Sequence, residues 1–311
     1  MALVLPCYNE EAIIAQTVSK LEELLEAYIL EKRITPDSFM VFVDDGSRDR
    51  SLEILKKIQS DRVRIVKMSA NYGHQTALLA GMHYVAGKVD CMVSLDADLQ
   101  DDLNCISEML KEYMAGAHIV YGVRNDRSSD SFFKRKTAQL YYKLMQRMGV
   151  NMIYNHADFR LLSNTILQEL NKYQEVNLFL RGIFPRMGFR SAIVYYTRLE
   201  RTAGETKYPF KKMLNLAING ITSFSDVPLK LISMVGFVVF LGSVLASLWV
   251  LFVLITGRNL PGWASITLPI YFIGGVQLLS LGVLGSYISR IYMETKKRPQ
   301  YHVEEVFGEM D

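Results

Sequence analysis

From Leu231 to Ser289 one charged residue, Arg258, interrupts an otherwise uncharged and largely apolar run. A helix pair in a soluble core rarely goes so far without charge. A bilayer core about 30 Å thick is crossed by about 20 helical residues. The two halves of the run, roughly 231–257 and 259–289, each exceed that length, and Arg258 with Pro261-Gly262 makes a turn between them. Two transmembrane helices are therefore expected. Lys211, Lys212 and Lys230 precede the first, and Arg290, Lys296, Lys297 and Arg298 follow the second. The excess of basic residues on those flanks places both chain ends in the cytoplasm, at the cytoplasmic membrane. Met1–Pro6 has neither a basic region nor a long apolar core, so no signal peptide is expected.

Before these spans, charges are frequent, and the 311 residues leave room for one α/β domain of about 200 residues. The net charge of +3 carries no nucleic-acid signature. Cys7, Cys91 and Cys105 lack metal-ligand spacing and read as reduced thiols.

Short β-prone runs alternate with helical spacing. Strands are expected at Ala2–Leu5, Phe39–Val43, Val63–Lys67, Asp90–Leu95 and His118–Tyr121. Helices are expected at Glu10–Tyr28, Asp49–Gln59, His74–Ala86 and Leu103–Met114. Such alternation predicts a mainly parallel sheet covered on both faces, with ligands at the carboxyl ends of the strands. Further on, Phe133–Met148 reads as helix, and Asp158–Leu161 and Ser191–Thr197 as strands. Tyr208–Phe224 is amphipathic and basic, which suits a helix lying in the membrane interface.

Three polar motifs fall at strand ends: Pro6-Cys7-Tyr8-Asn9-Glu10, Asp44-Asp45-Gly46-Ser47 and Asp96-Ala97-Asp98. Mg²⁺ and Mn²⁺ favour carboxylate, water and phosphate oxygens, with Mg²⁺ usually held by only one or two carboxylates plus substrate phosphates. Asp96 and Asp98 fit that use, and Gln100 is a third oxygen donor. Asp-x-Asp also arises by chance in turns; its position after an apolar strand, beside Asp44-Asp45, gives it weight. Asp45 suits a base or ribose hydroxyl, or else a turn before a capped helix. Asp101 and Asp102 read as acids in a first helical turn.

These motifs, with Asn71-Tyr72-Gly73 and Asp96-Ala97-Asp98-Leu99-Gln100, resemble glycosyltransferase family 2. Asp158-Phe159-Arg160-Leu161, Arg201–Tyr208 and Gly285–Tyr292 are similar to the polyprenyl-phosphate group of that family, which includes dolichol-phosphate mannose synthases. Asp158-Phe159-Arg160 and Gly220–Ser225 look most like the bactoprenol (undecaprenyl-phosphate) glucosyltransferases; Ser286 departs from the acidic residue of many relatives.

The resemblance implies an A-type nucleotide-sugar-binding glycosyltransferase fold over 1–207, a juxtamembrane helix in 208–226, two spans in 227–290 and a cytoplasmic tail in 291–311. It implies that Pro6, Tyr8, Glu10 and Asp45 hold the uridine and ribose. Asp96, Asp98 and Gln100 would hold a metal–diphosphate, with Arg124 near the phosphates. Arg201 and Lys207, with Arg198, would face the diphosphate or a lipid phosphate, and Asp158 is the candidate base. The implied reaction is inverting transfer of a hexose, glucose from UDP-glucose, to polyprenyl phosphate with Mg²⁺ or Mn²⁺. Other donors (GDP-mannose, UDP-galactose, UDP-GlcNAc, an aminoarabinose derivative) would use much of the same machinery.

A phosphate nucleophile is largely anionic at neutral pH, so a strong base is unnecessary and Asp158 could instead orient Arg160 or a sugar hydroxyl. A processive synthase is disfavoured: such enzymes usually carry Gln-x-x-Arg-Trp and more spans, and here the only tryptophans, Trp249 and Trp263, sit in apolar surroundings. A non-catalytic membrane adaptor is disfavoured by retention of the carboxylates. The spans hold no intramembrane charge for a transport pathway. Gly236, Gly242, Gly274, Gly275, Gly282 and Gly285 suggest close helix packing in a homo-oligomer.

Overall fold

The computed structural model describes residues 1–58, 60–125, 156–173, 175, 179–197, 227–256 and 262–308. The expected helices at Phe133–Met148 and Tyr208–Phe224 lie outside them, as do Arg198, Arg201, Lys207 and the Arg258 turn.

Eight strands form one sheet: β1 (Ala2–Cys7), β2 (Phe39–Asp44), β3 (Val63–Met68), β4 (Cys91–Ser94), β5 (Ile119–Arg124), β6 (His156–Ser163), β7 (Ser191–Tyr196) and β8 (Val303–Phe307). Their order is β7-β5-β6-β4-β1-β2-β3-β8. Strands β3, β2, β1 and β4 run parallel; β6 enters antiparallel between β4 and β5, and β7 pairs parallel with β5. β1 and β2 are buried along their whole length, as near-continuous apolar strands in a two-sided parallel sheet must be.

Alternate side chains feed two cores. Leu3, Leu5 and Phe42 pack with α1 (Ile14–Leu30), α2 (Ser51–Lys57) and α4 (Cys105–Met114). Val4, Val41 and Val43 face α3 (His74–Val85), and the same core extends to α5 (Asn164–Leu170) and α6 (Leu180–Arg186). Gly81 lets α3 seat closely: a Cβ there would lie 2.4 Å from a Val4 methyl and 2.9 Å from one of Val43.

Two long helices, α7 (Val227–Ile255) and α8 (Trp263–Thr295), follow. Among the described residues one segment, Phe272–Thr295, meets the length and apolarity needed to cross a membrane.

Several expectations shift. The first helix begins at Ile14 rather than Glu10, because the Glu10 and Glu11 amides bond to Ser51 and Asp49 side chains and stay in a loop. α8 runs past Arg290 to Thr295. Helices α5 and α6 are too short to carry a clear periodic signal. The tail expected at 291–311 is not simply a tail. Val303–Phe307 pairs antiparallel with β3, Tyr301 meets His83 Nδ1 at 2.8 Å, and Lys67 salt-bridges Glu304 at 2.6 Å.

Candidate active site

β1 is flanked by β2 on one side and β4 on the other, so the loops at their carboxyl ends border one crevice. The first two loops are stitched together. Ser47 Oγ accepts from Asn9 N–H, Ser51 Oγ from Glu10 N–H, and Asn9 Oδ1 from Arg48 N–H. Asn9 sits at φ 56°, a left-handed conformation that its short polar side chain tolerates. Tyr8 remains 39% exposed beside this stitching.

Asp45 is buried and holds a third loop. Its Oδ1 accepts Tyr72 N–H at 2.7 Å and its Oδ2 accepts Gly73 N–H at 2.8 Å. The turn after it requires Gly46, at φ 66°, where a Cβ would lie 2.7 Å from the Ala70 carbonyl carbon. The direct contacts of Asp45 are therefore with backbone, and it sets the entry of α3 and the place of His74.

The Asp96–Gln100 loop follows β4. Thr17 Oγ1, buried on α1, donates to the Ala97 carbonyl at 2.8 Å. Leu99 takes φ 52°, a strained left-handed conformation for a non-glycine residue. Burial raises the proton affinity of Asp96; Asp158 and Asp98 add to it, and His74 opposes it. Gln100 is 2% exposed, and among the described residues its Nε2 has no hydrogen-bond partner. Among the described residues no group of three or more His, Cys, Asp or Glu is arranged to hold a metal unaided.

Asp101 corrects a sequence expectation. α4 begins only at Cys105, so Asp101 is not an acid of its first turn, and it is 3% exposed. Its Oδ1 accepts the Tyr196 hydroxyl at 2.6 Å and lies 3.9 Å from Arg124 Nη2. Arg124 and Tyr196 are register partners at the ends of β5 and β7, and Arg124 Nε donates to the Tyr196 oxygen at 3.2 Å. Burial alone would lower the proton affinity of Arg124, but Tyr196, Asp101 and Asp96 outweigh it and raise it.

Asp158, on β6, is ion-paired on both oxygens. Arg160 Nη2 and Arg181 Nε donate to Oδ1, and Arg181 Nη2 donates to Oδ2 at 2.9 Å. Burial pushes the Asp158 carboxyl up, but Arg181 and Arg160 win and hold it well below the usual carboxylate range. His74 Nε2 bridges the two acids, 3.5 Å from Asp96 Oδ1 and 3.8 Å from Asp158 Oδ2. Arg160 is fully buried against the Phe184 ring.

Pro6, Tyr8, Glu10, Asp45, Asp96, Asp98 and Gln100 thus lie at or just after the carboxyl ends of β1, β2 and β4, Arg124 ends β5, and Asp158 lies near the start of the antiparallel β6. Arg198, Arg201 and Lys207 lie outside the described residues. Sequence reasoning missed His74 and Arg181. The first directly follows the Asn71-Tyr72-Gly73 motif, and the second is a lone basic residue in the apolar run Phe179–Phe184. The three thiols are free and buried, and burial pushes those of Cys91 and Cys105 up to about 11, as suits inert cysteines.

Comparison with known proteins agrees with this architecture. The family described as Glycosyl transferase family 2 matches residues 2–170. The chain is 47% identical over 306 residues to the uncharacterized glycosyltransferase YkoT of Bacillus subtilis, covering 98% of this chain and 91% of that one. It is 38% identical to the prophage bactoprenol glucosyl transferase homolog of Escherichia coli, covering 98% and 99%. It is also 38% identical to the bactoprenol glucosyl transferase of Shigella phage SfX, covering 98% of each. An α/β sheet of this order, acidic loops at its carboxyl edge and these matches agree: the chain belongs to glycosyl transferase family 2.

Proposed function

We propose that this protein is a membrane-embedded, inverting hexosyltransferase that moves glucose from UDP-glucose to polyprenyl (undecaprenyl) phosphate. The observation that carries the reading is the Asp96–Gln100 loop at the carboxyl end of β4, with Asp98 and Gln100 beside Asp96 and the basic Arg124 nearby. Relatives matched over nearly the whole chain, whose names give bactoprenol glucosyl transfer, support the acceptor.

The residues present fit Mg²⁺ or Mn²⁺. Asp96 and Asp98 offer hard oxygens, and a cation would offset the burial and, after it, the neighbouring carboxylates that raise Asp96. Asp96, Asp98 and Gln100 would hold the ion, with substrate phosphates completing its shell. When bound, the ion would offset charge on the departing diphosphate.

Tyr8 presents its ring to the base, beside Pro6 and Glu10. Asp45 acts on nucleoside binding through the loop it clamps. Arg124 faces the phosphates, and Arg198, Arg201 and Lys207 complete the anion site toward the lipid. An oxygen of the acceptor phosphate attacks the anomeric carbon as the bond to the UDP oxygen breaks, in one inverting displacement. That nucleophile is largely dianionic at neutral pH, with a second pKa of about 6. No proton acceptor is needed, and Asp158, held ionised by two arginines, orients rather than deprotonates.

The membrane reading has its own support. Phe237, Leu248, Phe252, Ile270, Leu278 and Leu281 point outward from α7 and α8, apolar surface that water would penalise and lipid accepts. The strand after α8 pairs with β3, so β8 and the sheet strands β1–β7 that precede α7 lie on one side. That return fits an even number of crossings, two spans with both termini cytoplasmic.

Membranes containing the protein, undecaprenyl phosphate and a panel of radiolabelled UDP- and GDP-sugars test the reaction. Label from UDP-glucose should enter a chloroform-soluble product. No such product from any donor overturns the enzymatic reading; a product from another sugar alone reassigns the donor.

A further inference from the structure

A carboxylate offers about four acceptor positions, two on each oxygen. Arginine N–H groups take three of those of Asp158: Arg160 Nη2 and Arg181 Nε on Oδ1, and Arg181 Nη2 on Oδ2. The position left is on Oδ2, the oxygen 3.8 Å from His74 Nε2, and His74 in turn lies 3.5 Å from Asp96. At 3.8 Å that imidazole is beyond hydrogen-bond reach, and through it this oxygen neighbours the acidic loop of β4.

The two arginines are not equivalent. Arg160 is fully buried, and among the described residues its Nε and Nη1 have no hydrogen-bond partner; one arm on Asp158 and the Phe184 ring offset burying its charge. Arg181 comes from a separate element, α6, and its side chain is 28% exposed. It grips both oxygens at once, the fork geometry that fixes the plane of a carboxylate. A carboxylate so gripped has a set direction and one acceptor position to offer.

We infer that Arg181 is a positioning residue for the donor sugar: with Arg160 it saturates three acceptor positions of Asp158, leaving Oδ2 to accept one hydroxyl of the hexose. This rests on the proposed nucleotide-hexose donor. The hydroxyl gains a charge-assisted hydrogen bond, and the ring is held with its anomeric carbon toward the acceptor. Arg181 does not touch the sugar; it decides where Asp158 points. Sugar discrimination is thereby set partly by α6, a short helix outside the acidic motifs.

The full-length protein, in detergent with Mn²⁺, is titrated with UDP, UDP-glucose and UDP-glucose analogues lacking the 2-, 3-, 4- or 6-hydroxyl. In the wild type, one deoxy analogue should bind about tenfold or more weakly than UDP-glucose, as for a hydrogen bond to a charged group. Arg181→Met should keep UDP affinity, bind UDP-glucose about as weakly as that analogue, and lose the discrimination. Arg181→Lys, which supplies charge without the fork, should recover part of it. Thermal midpoints and UDP affinity report folding; should the Met variant not fold, the Lys variant carries the comparison. Wild-type discrimination persisting in either folded variant overturns the inference, as does a wild type indifferent to every hydroxyl. A wild type that binds UDP but none of its hexosides, nor GDP-mannose, instead removes the proposed donor.

Discussion

Thr17 Oγ1, buried in the first helix, donates to the carbonyl of Ala97 between the two acidic residues of the crevice. Eighty residues of sequence separate them, and one hydrogen bond of 2.8 Å ties the strained loop to a rigid helix. Thr17→Val keeps the shape but leaves that carbonyl without its partner. It should destabilise the protein by about 1–3 kcal/mol. Chemical denaturation checks the stability, and sugar-transfer kinetics should show a lower kcat as the loop loosens.

Asp45→Asn removes one of two acceptors and turns an NH₂ toward a backbone N–H of Tyr72 or Gly73. The expected cost is about 1–3 kcal/mol. Because the loop leads into His74, the KM for UDP-glucose should rise more than kcat falls. A variant with wild-type KM would show that the clamp has no bearing on the donor.

Asp158→Asn leaves Arg160 buried with its charge uncompensated. Breaking such a pair costs about 3–5 kcal/mol at pH 7. Arg181 and Arg160 depress the folded-state proton affinity of Asp158 despite its burial. Its stabilisation is therefore complete above the unfolded carboxyl pKa of about 4 and is lost as pH falls below it. The stability gap between wild type and variant, from denaturation at pH 7 and pH 3, should narrow at the lower pH. A gap independent of pH would mean the ion pairs do not account for it.

Asp98→Ala should lower sugar transfer by about a hundredfold or more while the chain stays folded, as expected when an electrostatic stabiliser of the leaving group is lost. Excess chelator should stop the wild type, and added Mg²⁺ or Mn²⁺ should restore it. Undiminished turnover in chelator excludes the cation.

Truncation after Pro299 should lower the thermal midpoint and promote aggregation, because it removes β8 and uncovers the edge of β3. Tyr301→Phe isolates one contact, the hydrogen bond to His83, and should cost about 0.5–1.5 kcal/mol. Limited proteolysis should leave the end of the native chain intact and cut readily in the Tyr301 variant if that contact holds the segment.

Much of the sheet was legible because period and polarity are local properties. Ala2–Leu5 and Phe39–Val43 are apolar runs of strand length and Val63–Lys67 is a β-prone one with Arg64 and Lys67, and each is longer by only one or two residues in the structure. The start of α1 was misjudged because side chains of another loop, Ser51 and Asp49, compete for the Glu10 and Glu11 amides. Asp101 reads as an acid of a first helical turn for a similar reason: its partners, Tyr196 and Arg124, lie on β7 and β5. β8 carries Glu304 and Glu305 and reads as a polar tail until β3 supplies the ladder.

By itself the sequence determined which residues carry charge, where the long apolar runs lie and which strand ends bear acids. Those are matters of composition and spacing, and they sufficed to point to a family. Tertiary structure alone decided what each acid does. Asp45 faces backbone amides, Asp158 faces two arginines, and Asp96 faces His74 and other acids. Coulombic and hydrogen-bonding energies depend on distances of a few ångströms between residues far apart in the chain, and only folding sets those distances.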